Sequence, residues 1–142
     1  EGYFRRALAL AGQLRSPYAE AHARHGLGMV GVAAGDVSAA QRHLREALGV
    51  TQRLVDRHLI QARILQGLGV LEMRRGCPEE ALPYLIEAVL LARSLRAGLW
   101  EARLLASLAD AQDAAGDAAD AAETRDRAAR LRAELLDPVA VP

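Results

Sequence analysis

Three glycines, Gly26, Gly28 and Gly31, have the G-x-G-x-x-G spacing of a turn that binds the pyrophosphate of a dinucleotide. That chemistry requires a strand before the glycines and a helix that begins at them, because amides at the helix N-terminus bind the phosphates. Here the glycines fall inside a predicted helix, and Gly67 and Gly69 recur at the same places one repeat later. We therefore predict that they are positions where a neighbouring helix approaches closely, and that the chain binds no nucleotide or other cofactor.

Two histidines offer a candidate metal site. His22 and His25 are three residues apart and Met29 follows one turn later, so the three side chains can share one face of a helix. A metal ion would need a third or fourth N, O or S ligand at fixed distance, and none is apparent in the sequence. The single cysteine, Cys77, stands where a helix N-cap is expected, which favours the thiolate. Since Asp36 holds that place in the preceding repeat, we interpret Cys77 as a replacement for a capping aspartate, and we predict no metal site.

Four aspartates form a candidate acid and base group. They are Asp110, Asp113, Asp117 and Asp120, at spacings of three and four residues. The run crosses a predicted helix break at Gly116, however, which favours a solvated charged surface. No nucleophile elbow, P-loop or zinc-ligand cluster accompanies it. We therefore predict no catalytic residues and a protein that is not an enzyme.

Composition limits the classes of partner. Of the 142 residues, 51% are hydrophobic and only 4% aromatic, which favours close-packed helices built from Ala, Leu and Val. Eighteen basic residues, all Arg, balance eighteen acidic ones, so the formal net charge of zero argues against nucleic-acid binding by this segment. One cysteine forms no internal disulfide, and no apolar run approaches a membrane span. We expect a cytoplasmic protein without membrane contact, of bacterial and actinobacterial-like composition.

A repeat of about 40 residues organises the chain. Three similar segments recur, "AAGDVSAA" at 33–40, "RRGCPEEA" at 74–81 and "AAGDAADA" at 114–121. Each predicts a helix that stops at a glycine, followed at once by a second helix with a capping residue or a proline at its start. Ser16 before Pro17 is a similar start signal, and Asp56 is a candidate cap for another helix. The predicted helices are 2–14, 17–34, 37–54, 57–75, 78–95, 98–115 and 118–136.

These units resemble the tetratricopeptide repeat, whose signature includes an L-G pair and an A-x3-F element. The L-G pair corresponds to Leu27-Gly28, Leu68-Gly69 and Leu108-Ala109. The A-x3-F element corresponds to Ala40 with Leu44, Ala81 with Leu85 and Ala121 with Arg125. Phe4 takes the F place of a truncated unit at the start of the sequence. The period exceeds the standard 34 residues. Such long repeats resemble those of kinesin light chains, spindle-orientation adaptors and large bacterial transcriptional activators.

The resemblance implies an all-α fold, a right-handed α-α superhelix or solenoid of about seven antiparallel helices. It makes residues 1–142 a single repeat domain and a segment of a larger protein. The expected division is 1–14 as the second helix of a truncated unit, repeats at 17–54, 57–95 and 98–136, and a tail at 137–142.

In the family, the first helix of each unit lines a concave groove that contacts the ligand. The matching positions here predict a groove that is apolar, basic and acidic in turn. Its residues would be His22, His25, Met29, Arg63, Gln66, Val70, Met73, Arg103, Asp110 and Asp113. The Lys and Asn residues by which some relatives clamp a peptide carboxylate are absent, so that mode is not supported.

These observations predict a non-catalytic scaffold that binds a protein or peptide, as the interaction or sensor segment of a larger bacterial regulatory protein. One alternative is a homo-oligomerisation module, in which the first helix pairs with a second copy through Tyr3, Phe4 and Leu8. A further alternative is a sensor of a small molecule or signal peptide in the groove.

Overall fold

The computed structural model describes residues 2–137 and is all-α. Glu1 and residues 138–142 of the predicted tail lie outside the described residues. Within that range the chain forms seven helices, which confirms the predicted all-α architecture and helix number. They are α1 (Gly2–Gln13), α2 (Pro17–Ala34), α3 (Val37–Thr51), α4 (His58–Arg74), α5 (Pro78–Ser94), α6 (Gly98–Ala115) and α7 (Ala118–Leu136). None of these helices is long and apolar enough to cross a membrane.

Glycines end the first helix of each predicted unit, as expected. Gly35, Gly76 and Gly116 have φ of 74°, 73° and 93°, the left-handed conformation that a glycine adopts without a steric penalty. The following helix starts at once. The Asp36 carboxylate accepts a hydrogen bond from the Ala39 amide at 2.9 Å and so caps α3.

One N-cap differs from the predicted residue. The N-cap of α4 is Arg57 and not Asp56, because α4 begins at His58 and α3 already ends at Thr51. The connection 52–57 is longer than 14–16 or 95–97. The repeat spacing is 41 residues from Leu27 to Leu68 and from Ala47 to Ala88, but 40 residues from Ala7 to Ala47 and from Leu68 to Leu108, so one extra residue lies between Ala47 and Leu68, which is where this connection stands. Asp117 stands at the N-cap of α7, but its side chain makes no capping hydrogen bond.

Helices pack against their neighbours in the chain, and α2 also packs against α4. One core cluster joins α2, α3 and α4 around Leu44 and Leu68. A second joins α4 to α7 around Leu85 and Leu104. Each helix pair thus buries its apolar side against the next pair, as a helical stack requires.

Glycines bring paired helices into close contact. A Cβ at Gly69 would lie 2.7 Å from Cδ2 of Leu85, and a Cβ at Gly31 would lie 2.8 Å from the backbone nitrogen of Ala40. Gly28 meets Leu44 in the same way. The predicted role in packing is confirmed. Because this segment lies in the middle of α2 and no helix begins there, its amides are unavailable to a dinucleotide pyrophosphate.

Candidate functional site

The first helices of the successive pairs, α2, α4 and α6, together line a cavity of about 530 Å³, which we call the groove cavity. The lining residues are His25 and Met29 from α2, Arg63, Gln66, Gly67 and Val70 from α4, and Trp100 and Arg103 from α6. The helical stack therefore brings together side chains that are far apart in the sequence.

Most of the predicted groove residues meet here. His25, Met29, Arg63, Gln66, Val70 and Arg103 line the groove cavity. His22 lies one turn before His25 and lines an adjoining cavity between α1 and α2. Seven of the predicted groove residues therefore line two adjoining cavities along α2, α4 and the first half of α6.

Three predicted groove residues lie elsewhere. Met73 is half-buried against the core cluster of α4 to α7. Asp110 and Asp113 point toward α7, where Arg125 Nη2 lies 3.4 Å and 2.7 Å from their carboxylates. The acidic part of the expected groove is therefore an ion pair between α6 and α7, outside the groove cavity.

Trp100 is a groove residue that the sequence analysis did not identify. Its indole Nε1 donates a hydrogen bond to Oε1 of Gln66 at 3.1 Å, which joins α6 to α4 across the cavity. The signal in the sequence is the position of the single tryptophan three residues before Arg103, one helical turn away. The repeat register did not place Trp100 in the groove. The same register position in α4 holds Ile60, and Ile60 is buried in the core.

The groove cavity carries positive charge. Arg63 and Arg103 are exposed side chains on its wall, and no acidic side chain from residues 2–137 lines it. Ion pairs within the described part of the chain involve other arginines, such as Arg24 with Glu20 at 3.0 Å and Arg93 with Glu101 at 2.8 Å. The two groove guanidinium groups thus remain available to an anionic group of a ligand.

Both groove histidines favour the neutral form. Burial lowers the pKa of His25 below its usual 6.5, and the positive charge of Arg63 and the neighbouring His22 lower it further, while a hydrogen bond with the Arg63 backbone opposes this. Burial and Arg63 also lower the pKa of His22. The His22 ring lies against Tyr18, with ring centroids 4.5 Å apart, and its Nε2 is buried without a hydrogen-bond partner among the described residues.

These lowered pKa values predict a pH-dependent stability. The unfolded chain binds protons more readily than the folded protein at His22 and His25, so their contribution is fully present above the ordinary pKa of 6.5 and is lost as the pH falls below it. We expect the free energy of unfolding, measured with urea, to be lower at about pH 5.5 than at about pH 7.5. A double variant, His22→Gln with His25→Gln, should show a flatter dependence, with a remainder from His43, whose pKa is also lowered. Identical pH profiles for the two proteins would contradict the assignment.

A different set of residues has the composition of a metal site. Ligand atoms of Glu72, Cys77 and Glu80 lie within 4.8 Å of one another, the one such group of three or more found in residues 2–137. Arg75 Nη1 lies 2.6 Å from the buried Glu72 carboxylate and 3.8 Å from that of Glu80. The guanidinium thus already provides the positive charge that these carboxylates require. His22 and His25 are not part of this group.

The predicted self-association residues occupy different environments on α1. Tyr3 is 78% exposed, whereas Phe4 and Leu8 are half-buried. The Phe4 ring packs directly on Gly26 of α2, where even a Cβ would collide with it. Phe4 therefore contributes mainly to the contact between α1 and α2.

Comparison with solved structures identifies the same fold. The chain aligns over 99% of its length with the crystal structure of BtubC (BKLC) from P. vanneervenii, with a TM-score of 0.87 and 23% sequence identity. BtubC is a helical-repeat protein, and the likeness confirms the predicted all-α superhelical fold. The chain spans 58% of the length of that protein. No protein-family model matches the sequence, and neither does any curated protein.

Proposed function

We propose that this chain is a tetratricopeptide-type binding module of the long-period class, non-catalytic and cytoplasmic, whose groove cavity holds a peptide or protein segment that bears carboxylate groups. The observation that carries the proposal is the convergence of Arg63 and Arg103, from two successive first helices, on a cavity without acidic lining residues among those described. Guanidinium groups pair with carboxylates through short charge-assisted hydrogen bonds.

The cavity also suits an apolar side chain next to the carboxylate. Met29 and Val70 are half-buried on its wall, and the Trp100 ring is held in place by its hydrogen bond to Gln66. Methionine and tryptophan provide large contact areas that adapt to a partner or anchor it. A ligand that combines acidic and apolar side chains therefore meets both kinds of surface within one cavity of about 530 Å³.

The proposal extends to the setting of the module. A stack of helix pairs presents one continuous concave surface on which a partner can bind. Such a surface suits the interaction or sensor segment of a larger regulatory protein. The composition supports a bacterial source, since every basic residue is Arg and Ala is abundant.

Selection from a displayed library of random peptides tests the groove. We expect the recovered peptides to be enriched in Asp and Glu. The double variant Arg63→Glu with Arg103→Glu should weaken the best binder by about tenfold or more, because each charge pair reverses from attraction to repulsion. Arg45→Glu, an exposed charge reversal on α3 away from the groove, is the matched control and should change affinity by less than about twofold.

Two results would overturn this function. One is a selected pool with no excess of acidic residues. The other is an equal loss of binding in the groove variant and in the Arg45→Glu control, since that would place the ligand outside the groove cavity.

A further inference from the structure

The hydrogen bond between Trp100 and Gln66 fixes the orientation of the Gln66 side-chain amide. An indole N–H can only donate, so the atom that it meets at 3.1 Å must be the amide oxygen, Oε1. The amide nitrogen, Nε2, consequently lies on the other side of the group. Without the indole, rotation about the last torsion angle of the side chain would exchange the two atoms. Trp100 therefore decides that Gln66 offers a donor, and not an acceptor, on the side away from the indole.

Nε2 of Gln66 is available to a ligand. It has no hydrogen-bond acceptor among residues 2–137, and it is not one of the buried polar atoms without a partner. Gln66 is half-buried and lines the groove cavity. The nitrogen carries two N–H donors, and each can bind an oxygen atom of a ligand.

The two groove arginines flank this amide. Arg63 precedes Gln66 by three residues on α4, and Arg103 follows Trp100 by three residues on α6, which is about one helical turn in each case. A guanidinium group has donors and no acceptor. The acceptor of Gln66 is already occupied by the indole. The polar side chains that α4 and α6 contribute to the groove cavity thus present only donors to a ligand.

A carboxylate matches such a wall better than a carboxamide of the same shape. Both oxygens of a carboxylate accept hydrogen bonds, so each can meet a donor, and the negative charge shortens and strengthens these bonds. A carboxamide places an N–H₂ group where the wall has donors, so that group stays unpaired. Binding sites strongly reject an analogue that leaves buried polar groups unpaired.

We propose that Trp100 is a specificity-determining residue of the groove cavity. By holding the Gln66 amide as a donor, it makes the cavity bind the carboxylates of Asp and Glu and reject the carboxamides of Asn and Gln. Trp100 is in this respect a positioning residue that acts through Gln66, besides the apolar contact of its ring. The inference rests on the proposed function of the groove cavity and names the residue that selects the ligand's polar group. Arg63 and Arg103 attract any anion, whereas the oriented amide requires an oxygen atom at one position.

Two capped tripeptides, acetyl-Leu-Glu-Leu-amide and acetyl-Leu-Gln-Leu-amide, are the probes, because they differ only in the carboxylate. NMR titration of the ¹⁵N-labelled chain gives both dissociation constants. The chain should bind the Glu peptide about thirtyfold more tightly than the Gln peptide. Trp100→Phe keeps an aromatic ring without the N–H, so Gln66 can rotate and offer Oε1 to the carboxamide. The affinity ratio should fall by about fivefold or more, whereas a ring that only packs against the ligand would weaken both peptides alike.

Gln66→Glu tests the donor directly. The carboxylate still accepts the Trp100 N–H, but it has no donor and adds a negative charge to the cavity wall. The Glu peptide should bind about thirtyfold more weakly, and the preference for it should disappear. Gln52→Glu makes the same change at an exposed position outside the groove cavity, in the connection 52–57, and is the matched control. It should keep both affinities within about twofold.

An unchanged affinity ratio in Trp100→Phe overturns the proposal, as does a chain that binds both tripeptides equally or binds neither. Where Trp100→Phe does not fold, Gln66→Leu removes the donor and keeps the ring. It should lower the same ratio, because a hydrogen bond to a charged group is the stronger one, and an unchanged ratio there is equally decisive. Binding of the Glu peptide that is lost in Arg63→Glu with Arg103→Glu, together with an unchanged ratio in Trp100→Phe, refutes this inference and leaves the proposed function standing. Binding that survives the arginine double variant refutes the proposed function.

Discussion

Replacing Gly31 with alanine is expected to lower the free energy of unfolding by about 2–3 kcal/mol, although alanine is the better helix former. The added Cβ would lie 2.8 Å from the backbone nitrogen of Ala40 and 3.0 Å from its Cα. Because these are backbone atoms of α3, no side-chain rotation relieves the overlap, and the two helices must separate. Ala40 is fully buried, so the separation also loosens the core.

Gly49→Ala is the matched control. Gly49 lies inside α3, and a Cβ there would meet nothing within 4 Å. The same substitution should therefore stabilise the protein by up to about 1 kcal/mol, the difference in helix propensity. Urea denaturation followed by circular dichroism measures both. Equal effects of the two substitutions would show that α2 and α3 are not in backbone contact at Gly31.

Leu44→Ala should cost about 3–4 kcal/mol of unfolding free energy, a larger loss than that caused by Gly31→Ala. Leu44 is completely buried. It lies against Gly28 of its own helix pair and Gly67 of the next, so it connects α2, α3 and α4. The two glycines on either side of Leu44 have no side chains that could move into the space left by the leucine. The penalty therefore includes a cavity term as well as the lost apolar burial.

Leu90→Ala provides the comparison for Leu44. Leu90 lies on α5 and is 54% exposed, so its truncation should change the free energy of unfolding by less than about 0.5 kcal/mol. Thermal and urea unfolding should rank the two variants in the same order. A Leu44→Ala variant as stable as Leu90→Ala would mean that the first two helix pairs do not share this core.

Most of the helix boundaries could be predicted from the sequence because local chemistry determines them. Gly35, Gly76 and Gly116 stop three helices through a left-handed backbone, and Ser16 with Pro17 starts another. The end of α3 was predicted three residues too late. No glycine marks that end, and the residues 52–57 that follow α3 belong to no helix, so the sequence carries no local stop signal at Thr51.

The repeat register predicted the groove residues that lie on α2, α4 and the first half of α6. It failed where a side chain of a neighbouring helix binds a predicted groove residue. Register places His25, Arg63, Gln66 and Arg103 on one concave face, and they line one cavity. The same register places Asp113 there, yet Arg125 of α7 draws its carboxylate into an ion pair at 2.7 Å. No pattern in the sequence indicates that Arg125, twelve residues after Asp113, forms this ion pair.

The amino-acid sequence by itself determined the helices, their pairing and the glycine positions at which they touch, because turn chemistry and helical periodicity act between residues close in the chain. The tertiary structure alone decided that Trp100 donates a hydrogen bond to Gln66 across the groove cavity, and that Asp110 and Asp113 pair with Arg125 outside the cavity, so that its wall carries positive charge. Those features depend on which side chains of different helices come within contact distance. Such distances follow from the packing of whole helices, which no local pattern specifies.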